Sequence, residues 1–213
     1  MKITPKYLNK LYVEGNDDQH VVWSLCGKHK IEESFDVIDS ESIDNVFNFL
    51  ELSVNEQASQ TPIVGIVVDA DTDLNSRWQK ITSILDNTGN CTVPANIPAD
   101  GLILPPNVAH NPIVGVWIIP DNNINGMLED FITTLAIAGD PMLPAVDTVL
   151  NQIEAQGVNK YKAIHRAKAR IHTFLAWQKD PGVPMGAAIT RRYLDPMAPT
   201  SQKFVDWLNR LFA

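Results

Sequence analysis

The chain has 213 residues, 45% of them hydrophobic and five of them Trp, enough for one α/β domain with a well-filled core or for such a domain with a helical appendage. A formal net charge of −8 argues against a protein that coats nucleic acid by bulk electrostatics, but leaves room for an enzyme whose metal and local basic patch supply the missing positive charge. Cys26 and Cys91 stand far apart with no CxxC partner, which speaks against structural zinc and a disulfide framework and fits a reducing cytosol. The opening residues hold no long apolar region and the longest apolar runs are strand-length, so neither a signal peptide nor a membrane span is expected and the protein reads as cytoplasmic.

Residues 10–15 read as a first strand ending in Glu14 and Gly15. Asn16, Asp17 and Asp18 offer helix caps, and Val21, Val22, Leu25 and Cys26 give the next helix its apolar face. Residues 34–38 predict a short second strand, and Ile43, Val46, Phe47, Leu50 and Val54 recur at helical spacing. Residues 63–68 are nearly all aliphatic, the pattern of a strand buried on both faces in a parallel sheet. This run ends in Asp69, Asp71 and Asp73, spaced two apart. Three carboxylates so placed repel one another, and a hard cation such as Mg²⁺ relieves that repulsion. The competing reading is helix capping by Thr72, Asp73 or Asn75. A D-x-D also occurs in sugar-transferring enzymes and in phosphatases of the haloacid dehalogenase type, where Asp69 would be the nucleophile.

A helix with Trp78, Ile81, Ile84 and Leu85 follows, then a Pro-rich loop over residues 87–112 with one short strand at 101–104. Residues 113–119 repeat the buried-strand pattern and lead to Asp121. After the polar turn at 122–126 a helix begins with Glu129 and Asp130 in its first turn, where acids either complement the helix dipole or serve as further metal ligands. Beyond residue 140 only helices are expected: one with Val146, Val149, Leu150 and Ile153, a longer one over 160–179 with Ile164, Ile171 and Phe174 inward, and a last one with Phe204, Trp207, Leu208 and Leu211. The longer helix carries Lys162, Arg166 and Arg170 at a spacing of four, flanked by Lys160, His165, Lys168 and His172. Such a stripe is either a solvated face or a contact for phosphates. Strands alternating with helices predict an α/β fold with a mostly parallel four-stranded sheet flanked by helices, over residues 1–140, and a helical extension over residues 141–213 packed on the same domain.

Glu14-Gly15-Asn16-Asp17-Asp18 followed by Asp69-Ala70-Asp71-Thr72-Asp73 resembles the two acidic motifs of the Toprim domain, shared by topoisomerases, bacterial primases, recombination-repair proteins and overcoming-lysogenization-defect nucleases. Asp18 takes the second acidic position of the first motif, and Asp73 stands where topoisomerases carry Glu. With the run Gly126-Met127-Leu128-Glu129-Asp130-Phe131 after Pro120-Asp121-Asn122, and the late Leu175-Ala176-Trp177-Gln178, the chain is similar over nearly its whole length to a bacterial Toprim-like family of unknown function, nearest to the nuclease branch. The resemblance implies Glu14 as general acid/base, Asp69 and Asp71 as ligands of Mg²⁺ or Mn²⁺, Asp73 acting through water, and Glu129 as a later acidic ligand. No topoisomerase tyrosine motif, zinc-binding primase module or P-loop is present, so it implies a stand-alone nuclease on nucleic acid, in phage defence or repair, or a non-catalytic module serving a partner ATPase.

Overall fold

The computed structural model describes residues 5–55, 60–89 and 91–213. Its sheet has five strands: β1 (Asn9–Val13), β2 (Phe35–Asp39), β3 (Ile63–Asp69), β4 (Leu102–Leu104) and β5 (Ile113–Ile119). Their order is β2-β1-β3-β5-β4, parallel except for the β4–β5 pair. The expectation of four strands is thus corrected to a mixed sheet of five. The fifth, three residues long in the Pro-rich segment, pairs antiparallel with β5 and covers what would otherwise be its open edge.

Alternation along the strands sorts the core into two layers. Val64, Ile66, Val68, Val114, Val116 and Ile118 point to one side, where α2 (Ile43–Asn55) and α3 (Leu74–Thr88) cover them. Leu11, Val13, Val67, Trp117 and Ile119 point to the other. That second side is covered by α1 (Asn16–His29), α4 (Leu128–Thr134), α6 (Arg166–Ala176), α7 (Met185–Thr190) and α8 (Pro199–Phe212), with α5 (Met142–Ala155) packed outside α6.

Helix α8 crosses the sheet. Phe212 stacks on Phe35 of β2, with ring centroids 3.8 Å apart, and the Trp207 indole N–H donates to the Leu102 carbonyl of β4 at 3.0 Å. It can lie this close because Gly65 and Gly115, paired across β3 and β5, carry no side chain beneath Leu211. A Cβ on Gly65 would come within 2.6 Å of Leu11 and 3.0 Å of Leu211. The C-terminal helices therefore form one of the two layers that bury the sheet. Among the described residues no helix is long and apolar enough to cross a membrane.

The segment expected as one helix over 160–179 divides. A 3-10 turn, Ala163–His165, precedes α6, so Lys162 sits outside the helix that carries Arg166 and Arg170. Ile164, expected inward, is 47% exposed.

Candidate functional site

In this strand order the chain leaves β1 toward β2 on one side and leaves β3 toward β5 on the other. The crossovers part between β1 and β3, and the crevice at the carboxyl ends of those strands is where open α/β sheets receive ligands. Glu14 follows β1 and Asp69 ends β3, so both acids stand at that crevice. They touch: Glu14 Oε1 accepts from the Asp69 backbone N–H at 2.7 Å. Stepping by two from Val67 turns Asp69 toward the layer built by α1, α4 and α6. From that layer come Asp18, in the first turn of α1, and Glu129, in the first turn of α4 and only 5% exposed.

Crowding sets the protonation. Burial, and then the charges of Glu14, Asp18, Glu129 and Asp71, push the Asp69 carboxyl up to about 9. Burial, and then Glu14 and Glu129, push Asp18 up to about 7. Glu14 is raised chiefly by burial, against the hydrogen bond from Asp69 and the attraction of Arg77 and Lys168. Asp69 Oδ1 is buried with no hydrogen-bond partner.

Two cations face this cluster. Arg77 of α3 donates through Nε to the Asp69 carbonyl at 2.7 Å and through Nη2 to Asp71 Oδ2 at 2.6 Å, with its guanidinium over the Phe47 ring. Lys168 of α6 lies 3.3 Å from Glu129 Oε1. Burial works against the Lys168 charge, but Glu129, Asp69 and Asp17 outweigh it and its pKa is raised. With Asp71 and Glu129 so paired, no group of three His, Cys, Asp or Glu among the described residues is arranged to hold a metal ion in this conformation. The donor set itself, oxygen-only and with one buried oxygen unpartnered, fits a hard cation such as Mg²⁺ or Mn²⁺.

The remaining expected site residues other than Lys162 have local partners. Asp73 caps α3, accepting from the Ser76 backbone N–H at 3.1 Å and its hydroxyl at 2.6 Å, which holds its carboxyl below the usual range. Asp121 folds its own loop by accepting from the N–H groups of Asn123 and Ile124. Arg166 pairs with Glu154 at 3.0 Å, and Arg170 with Asp147 at 2.6 Å, both on α5, while Lys162 is exposed. These arginines line an open groove of about 760 Å³ that reaches Asp71.

Sequence reasoning missed Arg77 and Asn125, and set Lys168 beside the basic stripe and not against the acids. Asp71 takes a left-handed conformation, φ 52°, and exchanges two 2.8 Å backbone hydrogen bonds with Gly126. Asn125 ties the same corners by accepting from Leu74 N–H at 2.9 Å and donating to the Thr72 carbonyl at 2.7 Å. This clasp joins the loop that bears Asp71 to the loop that leads into Glu129. The only advance signal was the polar turn at residues 122–126.

No curated protein and no solved structure matches the chain. The family described as "Protein of unknown function (DUF3226)" matches residues 8–213, and the chain belongs to it.

Proposed function

We propose that this protein is a divalent-cation-dependent phosphodiesterase that acts on nucleic acid in the cytoplasm, with a Toprim-like α/β core. The observation that carries the reading is the unpartnered, buried Asp69 Oδ1 amid Glu14, Asp18, Asp71 and Glu129 at the crevice between β1 and β3. A buried carboxylate with no partner is destabilising unless it keeps a proton or meets a cation. Asp69, Asp71 and Glu129 would hold Mg²⁺ or Mn²⁺, which neutralises charge on a phosphodiester and lowers the pKa of a bound water. Glu14 has one oxygen fixed by the Asp69 N–H and a pKa raised chiefly by burial, so its other oxygen is suited to take or give a proton. Asp73 supports the α3 corner as its cap.

The test is cleavage of labelled single- and double-stranded DNA and RNA by purified protein with Mg²⁺, Mn²⁺ or chelator. We expect cation-dependent cleavage that Asp69→Asn abolishes. Absence of cleavage in every combination would overturn the enzymatic reading. A second reading, a non-catalytic module working with a partner ATPase, draws on the ion pairs that already engage Asp71 and Glu129. It predicts nucleic-acid or partner binding that is indifferent to divalent cations.

A further inference from the structure

A second cavity, of about 550 Å³, opens beyond β1 over the carboxyl end of β2. Helix α1 lends it Asn16 and Gln19, α2 lends Asn45 and Phe49, and the end of β2 lends Asp39 and Ser40. Asn16 lies two positions after Glu14, so the cavity adjoins the acidic cluster.

Several features point to a ligand. Ser40 is 2% exposed and its Oγ has no hydrogen-bond partner, although its backbone N–H donates to the Val13 carbonyl at 3.0 Å. Folded proteins seldom leave a buried hydroxyl unpaired. Gln19 Nε2 donates to the Val37 carbonyl and Asn45 Nδ2 to the Ser40 carbonyl, each at 2.7 Å, which fixes the plane of both amides. Asp39 Oδ1 accepts from the Glu41 N–H at 2.8 Å, and among the described residues no hydrogen bond engages its second oxygen, which is left for a hydroxyl donor. An acid roughly 20 residues past the first β–α corner is where doubly wound sheets receive a sugar diol. Phe49, stacked on Tyr12 with centroids 5.1 Å apart, supplies an aromatic wall. Among the described residues that line the cavity, Asp39 presents a carboxylate, which disfavours a bare phosphate and favours a neutral, hydroxyl-bearing group.

We propose that this cavity binds a ribonucleoside of the substrate, with Asp39 accepting from the ribose hydroxyls, the Asn and Gln amides meeting the base edge and Phe49 lying against the base. Amides read base edges, aromatic rings hold bases of any sequence, and the 2′-hydroxyl distinguishes RNA from DNA. The proposal rests on the nuclease reading and adds to it a substrate class, RNA, with the scissile phosphate at Glu14 and the adjoining nucleoside over β2.

The test is titration of the full chain with adenosine and with 2′-deoxyadenosine, without divalent ions, followed by NMR of the side-chain amides of Asn16, Gln19 and Asn45. Adenosine should shift these signals saturably and bind about tenfold more tightly than the deoxynucleoside, the size expected for one hydrogen bond to a charged group. Asp39→Asn still accepts from Glu41 N–H and should erase the preference, while Phe49→Leu should weaken both nucleosides. Absence of saturable shifts, equal affinities in the wild type, or a preference that survives in Asp39→Asn would each overturn the proposal. Because no cation is present, failure here is separate from failure of cation-dependent cleavage.

Discussion

Asp69 holds its proton far more tightly in the folded chain than in the unfolded one, about 9 against an ordinary 3.8. Below the ordinary value both states are protonated and the difference vanishes. As pH rises from there the unfolded chain releases the proton while the folded chain keeps it, so stability falls across the window and the loss is complete above about 9. Asp18, raised to about 7, acts in the same direction over a narrower range. Metal-free protein should therefore melt at lower temperature as pH is raised from about 5 toward 9. Asp69→Asn should flatten that slope and raise the melting temperature at the alkaline end by at least about 2–4 °C, the shift that accompanies each kcal/mol in a chain of this size. Melting curves of the two proteins across pH decide it, and parallel slopes would remove Asp69 from the explanation.

At the scale of elements, helix α8 depends on two glycines in the strands below it. Gly115→Ala would drive a methyl into Leu211, which is buried and cannot swing into solvent. Overpacking of this kind costs about 1–3 kcal/mol, and denaturant unfolding should register it as a lower midpoint. The periodicity of Phe204, Trp207, Leu208 and Leu211 announced this helix, and the aliphatic runs announced β3 and β5, because each buries a whole face and leaves a regular trace. Strand β4 was legible as the short run at residues 101–104 but not as a member of the sheet, because its antiparallel pairing with β5 is a tertiary event. Helix α6 was misread at its start for a similar reason. The partners of Arg166 and Arg170 lie 12 and 23 residues away on α5, beyond the reach of any local pattern. Lys168, two positions from each, faces the opposite way and meets Glu129. We expect Lys162→Gln with Arg166→Gln and Arg170→Gln to change the slope of log affinity against log salt by less than about one unit, since each free phosphate contact contributes about 0.7–0.9. Nucleic-acid binding over a salt series measures this. A change of two units or more would mean that phosphates pull both arginines from their carboxylates.

For the molecule as a whole, a cation bound only by the folded state adds stability by RT ln(1 + [L]/Kd), about 2.7 kcal/mol at a hundredfold excess over Kd. Thermal melts with Mg²⁺ or Mn²⁺ should rise accordingly, more at alkaline pH where the acids no longer hold protons, and Asp69→Asn should lose most of the gain. The expected site was legible to the extent that strand ends are legible: Glu14 and Asp69 sit at parallel strand ends and meet. Spacing left Asp73 open between a cap and a ligand acting through water, and in the fold its side chain caps α3. The counter-charges Arg77 and Lys168 reach the cluster from α3 and α6, by packing that a linear pattern does not contain.

The clasp between Asp71 and Gly126 has a kinetic corollary. Each of their amide hydrogens is bonded to the other residue's carbonyl, so neither can meet solvent unless the two loops part together. Native-state hydrogen exchange reports such openings as shared units. The Asp71 and Gly126 amides should exchange with matching protection, although they lie in different loops and are remote in sequence. Asn125→Ala removes the side-chain bonds to Leu74 and Thr72 and should speed both amides by a similar factor, leaving the centre of β3 unchanged. Exchange that quickened at only one of the pair would show two loops that open independently.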